Sequence, residues 1–181
     1  MNADFDYMAV NIVRNRIKLM KYVLGLGTNM GDRLQNLKNG IAALELAPKT
    51  SVIKKSAVYE TSPVGYARQQ DFFNCAVMCE SELNVHEMLG ICLGIECGLG
   101  RVRNFKNGPR IIDIDLLLAE DKIIRTPNLV VPHPRLKARL FVLLPLLDIF
   151  EDGNAYGLDF ASFIGDIKDQ RINKTKFSLD D

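Results

Sequence analysis

A mixed α/β (α+β) domain with a mostly antiparallel sheet and helices packed on it is what the sequence predicts. Three observations carry this: two segments of helical apolar period, four β-rich segments, and their order of strand, helix, strand, strand, helix, strand. A chain of 181 residues has room for one ordinary core. With 48% hydrophobic and 25% charged residues, it has the balance of a globular protein rather than a disordered one.

The elements follow in order. From Lys21, KYVLGLGTN reads as a buried strand closing in a tight glycine turn. The next segment, DRLQNLKNGIAALEL, spaces Leu34, Leu37, Ile41 and Leu44 as one helix face, with Asp32 at its start and Pro48 past its end. SVIKKSAVYE is β-branched and alternating, so it is expected as a strand. TSPVGYARQQ is a loop by its proline, glycine and polar content, and FFNCAVMCE returns as the partner strand of a long-looped hairpin. NVHEMLGICLGIECGLG repeats the helical spacing through Val85, Met88, Leu89, Cys92 and Ile95. A basic, turn-rich loop, RVRNFKNGPR, leads into the strand IIDIDLLLA. This order is the ferredoxin-like βαββαβ core, with the helices on one face of the sheet. An edge-strand pair, a loop at TPNLVVPHPRLK and an apolar helix are expected after Glu120. The domain is placed at 21–168, between an N-terminal extension at 1–20 and a polar tail at 169–181.

Composition narrows the function classes. A net charge of +1 lacks the basic surplus of a dedicated nucleic-acid binder. The longest apolar stretch, FVLLPLLDIF, is too short to span a membrane, and the first twenty residues lack a signal-peptide pattern, so a cytoplasmic protein is expected. The four cysteines show no Cys-x-x-Cys spacing. Cys75 and Cys79, on one strand, would lie about 13 Å apart, too far to bridge, so free thiols are expected.

The strongest chemical signal is Asp113 and Asp115 in the strand IIDIDLLL. Alternation points both the same way, about 7 Å apart. Two converging carboxylates repel, and a divalent cation relieves that repulsion; oxygen donors favour Mg²⁺ over Zn²⁺. A solvated sheet edge or arginine pairing would also accommodate them. Arg101, Arg103, Lys106 and Arg110 crowd the loop just upstream. Arginine forks suit phosphate chains, and arginines beside a carboxylate pair suit phosphoryl or nucleotidyl transfer. Gly25-Leu26-Gly27-Thr28-Asn29-Met30-Gly31 has neither dinucleotide-fingerprint spacing nor a Walker ending, and is read as a turn. Phe72 and Asn74 share a strand face and suit a flat heterocycle, or simple core packing. His133, between two prolines, is a weaker candidate.

The ordered series GLGTNMGDR, SAVYETSPVG, QQDFFNCAV, IECGLGRVR, GPRIIDIDLLL and VPHPRLKARLFVLLPL closely resembles the 6-hydroxymethyl-7,8-dihydropterin pyrophosphokinases, from about Tyr22 to Ile149. The resemblance implies the ferredoxin-like fold and transfer of the β,γ-diphosphate of ATP to a pterin hydroxyl, a step of folate synthesis. It implies two Mg²⁺ ions on Asp113 and Asp115, with Arg101 and Arg110 as catalytic cations. It assigns Glu96, Arg103, Arg110, His133 and Arg139 to ATP. The pterin falls between Phe72 and Phe141, read by Asn74 and by groups of Thr61, Ser62, Pro63 and Val64. A monomer without nucleic-acid or membrane partners is expected. Lys106 and Asn107 stand where many members carry an arginine and an aromatic, and Phe105 is the candidate to supply the aromatic. Asn128 and Val130 replace an arginine and a threonine used near ATP by some members. Two other readings compete: a different two-metal nucleotidyl- or phosphotransferase, and a non-catalytic ferredoxin-like RNA-binding module.

Overall fold

A computed structural model describes residues 19–102, 105, 107–168 and 170–180. The extension assigned to residues 1–20 lies, but for its last two, outside them, and so does Arg103.

The expected core is present. Strand β1 (Met20–Thr28) leads to helix α1 (Arg33–Glu45), then β2 (Thr50–Lys55), β3 (Tyr59–Thr61) and β4 (Phe72–Ser81). Helix α2 (Val85–Gly98) and strand β5 (Asp113–Ala119) complete it. The helices start where side chains can cap them. Asp32 accepts from the Gln35 amide at 3.0 Å, and Asn84 and Glu87 form a reciprocal capping box, each device contributing about 1 kcal/mol.

The segment expected as one strand divides into β2 and β3, both antiparallel to β4. At the break, Ser56 Oγ accepts the Ala76 amide at 2.8 Å, and Asp148 accepts the Ala57 amide at 3.0 Å. Side chains thus take over from the ladder where the chain bends. The sheet order is β5-β1-β4-β3, and β4 and β5 both flank β1 antiparallel.

Each strand sorts its side chains by alternation. Tyr22, Leu24, Leu26, Phe73, Cys75, Val77, Ile114 and Leu116 point to the α1/α2 side and close one core with Leu37, Leu44, Met88 and Cys92. Val23, Ala76, Met78 and Leu117 point the other way. A fully buried leucine in such a cluster contributes about 1.5–3 kcal/mol. The second face is also covered, unlike the one-sided packing expected. Helix α3 (Leu140–Ile149) lays Val142, Leu143, Leu146 and Ile149 on it, so the molecule has three layers. A register shift between Val23 and Leu24 turns both Leu117 and Leu118 toward this second core.

After the core, β6 (Ile124–Thr126) and β7 (Leu129–Val131) form their own two-stranded sheet rather than an edge of the main one. Strand β7 therefore lies within the stretch expected as a loop. A small hairpin, β8 (Asn154–Ala155) and β9 (Leu158–Asp159), precedes the short helix α4 (Ala161–Ile164). Within the segment read as a polar tail, β10 (Ile172–Lys174) pairs antiparallel with β3 and becomes the outer strand of the sheet. No helix among the described residues is long and apolar enough to cross a membrane.

Cys75, Cys79 and Cys92 are buried free thiols, and Cys97 is exposed. Burial pushes the Cys75 and Cys79 thiols up to about 12. Because only thiolate at an accessible sulfur reacts, the native protein at pH 8 should titrate one thiol with a chromogenic disulfide reagent. All four should react in denaturant. Rapid modification of more than one in the native state would show that the strand-helix core is not closed.

Candidate active site

Helix α3 covers only part of the second sheet face. Beside it lies a cavity of about 590 Å³, floored by β1, β4 and β5. Its floor explains the glycines. Gly25 and Gly27 sit inside β1 rather than in a turn, with Leu26 on the opposite, buried face. Gly27 lies in register between Asn74 and Asp113, and Gly25 between Ala76 and Asp115. A Cβ on Gly27 would meet Asn74 Oδ1 at 3.0 Å, and one on Gly25 would meet Leu117 Cδ1 at 3.1 Å. The bare stretch of β1 therefore gives a ligand direct access to the polar groups on both neighbouring strands. The turn itself is made by Gly31, at φ 60°.

One half of the cavity is charged. Asp113 and Asp115 line it together, as their alternation on β5 requires. Asp113 pairs with both Arg101 and Arg110 through its two oxygens. Burial opposes its charge, but the guanidiniums of Arg110 and Arg101 outweigh burial and hold its carboxyl below the usual range. Asp115 has a looser pair, with Arg139 Nη1 at 3.9 Å. Burial first and the neighbouring Asp113 charge second push its carboxyl up. Arg135 and Arg139 complete the cationic rim.

Glu96 does not line this cavity; it stands behind it, 4% exposed. It pairs with Arg101 and accepts the Ile114 amide at 2.7 Å. A buried glutamate so engaged holds Arg101 in place. His133 is also off the cavity wall. Its Nδ1 accepts the Arg135 amide at 3.2 Å, which leaves the ring proton on Nε2. Burial pushes its pKa down despite the nearby Asp115.

The other half is aromatic and amide-lined. Phe72, Phe141, Asn74, Thr61, Ser62 and Val64 face it, while Pro63 lies in a small adjoining cavity. Asn74 is 6% exposed and donates to Thr61 Oγ1 at 2.8 Å, which orients its amide. The Arg110 guanidinium carbon is 5.3 Å from the Phe72 ring centroid, and that of Arg139 is 5.2 Å from the Phe141 ring. Each aromatic wall thus borders one cation of the charged half. The candidate aromatic of the basic loop, Phe105, is also on the wall, edge-to-face with Tyr66 at 5.3 Å.

Two contributors escaped the sequence reading. Arg135 carried no signal beyond a charge after His-Pro. Asn29 belongs by sequence to the glycine turn, yet it is 2% exposed and joins three parts of the site. Its Nδ2 donates to Gln69 Oε1 at 2.9 Å and to the Gln70 carbonyl at 3.0 Å. Its Oδ1 accepts the Arg110 amide at 2.8 Å. A polar residue closing a buried strand was the usable clue, since its amide has to find partners.

As a metal site, Asp113 and Asp115 offer oxygen donors alone. No group of three His, Cys, Asp or Glu side chains forms a closed cage among the described residues. An open two-carboxylate set fits Mg²⁺, which keeps waters and takes phosphate oxygens as its other ligands.

A family model described as 7,8-dihydro-6-hydroxymethylpterin-pyrophosphokinase matches residues 23–151. Among curated proteins, the 2-amino-4-hydroxy-6-hydroxymethyldihydropteridine pyrophosphokinase of Bacillus subtilis is 45% identical over 126 residues, 70% of this chain and 75% of that protein. The protein of the same name from Methylorubrum extorquens is 43% identical over 129 residues, 71% of this chain and 82% of its own length. Among solved structures, wild-type HPPK-DHPS of Plasmodium falciparum superposes with a TM-score of 0.63 at 17% identity. That match covers 82% of this chain and 43% of the larger one, so this chain spans less than half of it, and the likeness is one of fold.

Asn29→Ala would leave the Arg110 amide and the Gln70 carbonyl without their partner in a nearly buried place. Urea denaturation should show a loss of about 1–3 kcal/mol, and native-state exchange should show lost protection at the Arg110 amide. An unchanged midpoint and unchanged protection would mean that Asn29 does not tie these segments together.

Proposed function

Since the chain belongs to the 7,8-dihydro-6-hydroxymethylpterin-pyrophosphokinase family, we propose that it transfers the β,γ-diphosphate of ATP to the hydroxyl of 6-hydroxymethyl-7,8-dihydropterin, releasing AMP. The observation that carries this reading is a single cavity with two unlike halves, joined across the glycine floor of β1. The aromatic and amide half suits a flat heterocycle with hydrogen-bonding edges. The carboxylate and arginine half suits a polyphosphate.

Each residue has a role in this reading. Phe72 and Phe141 stack on the pterin faces, and Asn74, oriented by Thr61, reads its edge together with the chain at Ser62–Val64. The hydroxymethyl arm then points along the floor toward Asp113 and Asp115. Two Mg²⁺ ions on those carboxylates would supply charge neutralisation of the phosphates and a lowered pKa for the attacking hydroxyl. Arg101 and Arg110, which neutralise Asp113 here, are the cations a triphosphate would recruit. Their transfer to phosphate leaves the Asp113 oxygens open as ligands. Arg139 and Arg135 extend the cationic rim toward the nucleotide, and Glu96 keeps Arg101 aimed. Arg103 joins the nucleotide set by its place in the family pattern, and His133 by its place beside Asp115. The hydroxyl oxygen attacks the β-phosphorus and gives up its proton to solvent, the bond from that phosphorus to the α-phosphate oxygen breaks, and AMP leaves. No side chain here is placed as a covalent nucleophile, so transfer is direct.

The deciding assay combines the full chain with ATP, Mg²⁺ and the pterin, and separates the nucleotides. AMP formed only with the pterin present is the expected result. Pyrophosphate or ADP instead would keep a metal-dependent phosphotransferase but overturn the acceptor. Asp115→Asn should lower turnover at least about 100-fold, on the scale of losing a charge-stabilising group. It should not weaken the fold, because burial already disfavours the Asp115 charge: its raised folded pKa means ionisation costs stability as pH rises. Arg110→Ala should lower kcat by about 10²–10³-fold with a much smaller change in pterin affinity. Wild-type turnover in either variant would remove that residue from the mechanism.

A further inference from the structure

Residues beyond 151, where the family match ends, return to the sheet beside the aromatic half of the cavity. Strand β10 aligns Ile172 with Thr61 and Lys174 with Tyr59, and so covers the edge that β3 would otherwise expose. The segment is fastened at and beyond the end of the strand as well. Lys174 Nζ meets Asp148 at 3.1 Å, Thr175 donates to the Val58 carbonyl, and Phe177 packs on Phe73 with centroids 5.3 Å apart.

Just before β10, two adjacent residues grip opposite walls of the cavity. The Arg171 carbonyl accepts the Ser62 amide at 3.3 Å, and its Nε donates to Ser62 Oγ at 3.0 Å. Its guanidinium also pairs with Asp71. Ser62 opens the loop that follows β3, and Asp71 is that loop's last residue before β4, so one side chain closes the loop at both ends. Gln170 Oε1 accepts the Leu140 amide at 2.9 Å, and Gln170 Nε2 donates to the Ala138 carbonyl at 2.9 Å. Those two groups bracket Arg139 and lie immediately before Phe141. Between the grips is a small cavity of about 120 Å³, bounded by Ser62 and Val64 on one side and Phe141 on the other.

We infer that Gln170 and Arg171 are positioning residues that set the spacing between the Ser62 loop and Phe141, and thereby the fit of the pterin. This rests on the assignment of that half of the cavity to the pterin. Neither residue lines the main cavity; each acts through the wall it holds. The two differ in reach. Arg171 touches the loop wall alone, whereas Gln170 holds the stretch that carries both Phe141 and Arg139.

The test is steady-state kinetics of the full chain with ATP, Mg²⁺ and 6-hydroxymethyl-7,8-dihydropterin. Arg171→Ala should raise the pterin KM roughly three- to tenfold, the scale of one or two lost hydrogen bonds, with the ATP KM and kcat within twofold. Arg171→Lys, which keeps charge toward Asp71 but not the Nε bond, should fall between. Gln170→Ala should raise both KM values. Thermal melting of each variant separates a purely structural role, which would lower the midpoint and the active fraction without moving either KM. That pattern, or an unchanged pterin KM in Arg171→Ala, overturns the inference. A wild type that turns over no pterin overturns the substrate assignment and this inference with it, whereas active wild type with unaltered variants overturns this inference alone.

Discussion

The ion triad at the start of β5 is the constraint around which the site is organised. A carboxylate at the end of a sheet strand, mostly removed from water, persists as a charge only if cations come to it. Asp113 receives two, Arg101 and Arg110, from the two ends of one loop. That single requirement pins both ends of the 101–110 segment to the strand. Glu96 extends the constraint into the core: held by α2, it accepts the Ile114 amide and pairs with Arg101. Asn29 extends it sideways, fastening the Arg110 amide to the end of β1. Removing the Asp113 charge would therefore unfasten a loop as well as a ligand, which makes Asp115 the cleaner residue for asking about chemistry.

The two faces of the sheet divide the work of stability and function. The face toward α1 and α2 is filled by alternating apolar side chains packed against the helices. The opposite face is covered by α3 only in part, and the uncovered part is where β1 loses its side chains at Gly25 and Gly27. An alanine at Gly27 would push on Asn74, and one at Gly25 on Leu117. The glycines are thus a property of the cavity and not of a turn. They bring the carboxylates of β5 and the amide of β4 to one cavity from opposite sides of one strand.

Much of this was legible because it follows from period. Helical spacing located α1 and α2, alternation located β4 and β5, and the element order implied the sheet. Alternation also put Asp113 beside Asp115 and Phe72 beside Asn74 on shared faces, as the structure has them. What escaped was whatever depends on residues distant in sequence. The glycines of β1 read as a turn because their meaning lies in what faces them on β4 and β5. The break between β2 and β3 depends on Asp148, far along the chain and carried by α3. Strand β10 is too short and polar to show a period, and it exists because β3 presents an edge that needs pairing. Arg135 and Asn29 took their significance from neighbours rather than from motifs.

The segment before Gly108 is fitted to the loop after Thr61 by local contacts. Asn107 sits at φ 60°, a left-handed conformation that asparagine tolerates better than bulkier residues. There its side chain lies against Gly65, where any Cβ would come within 2.7 Å of the amide nitrogen. Gln69 donates to the Asn107 carbonyl at 3.0 Å, and Phe105 meets Tyr66 edge-to-face. The loop before Gly108 and the loop after Thr61 are consequently fitted to each other at three points, one of packing, one hydrogen-bonded and one aromatic. A side chain at position 65 would press on the Asn107 amide, so the asparagine at 107 and the glycine at 65 belong to one arrangement. Phe105, edge-to-face with Tyr66, lies on the cavity wall itself. The charged loop and the aromatic loop are in this way coupled to each other.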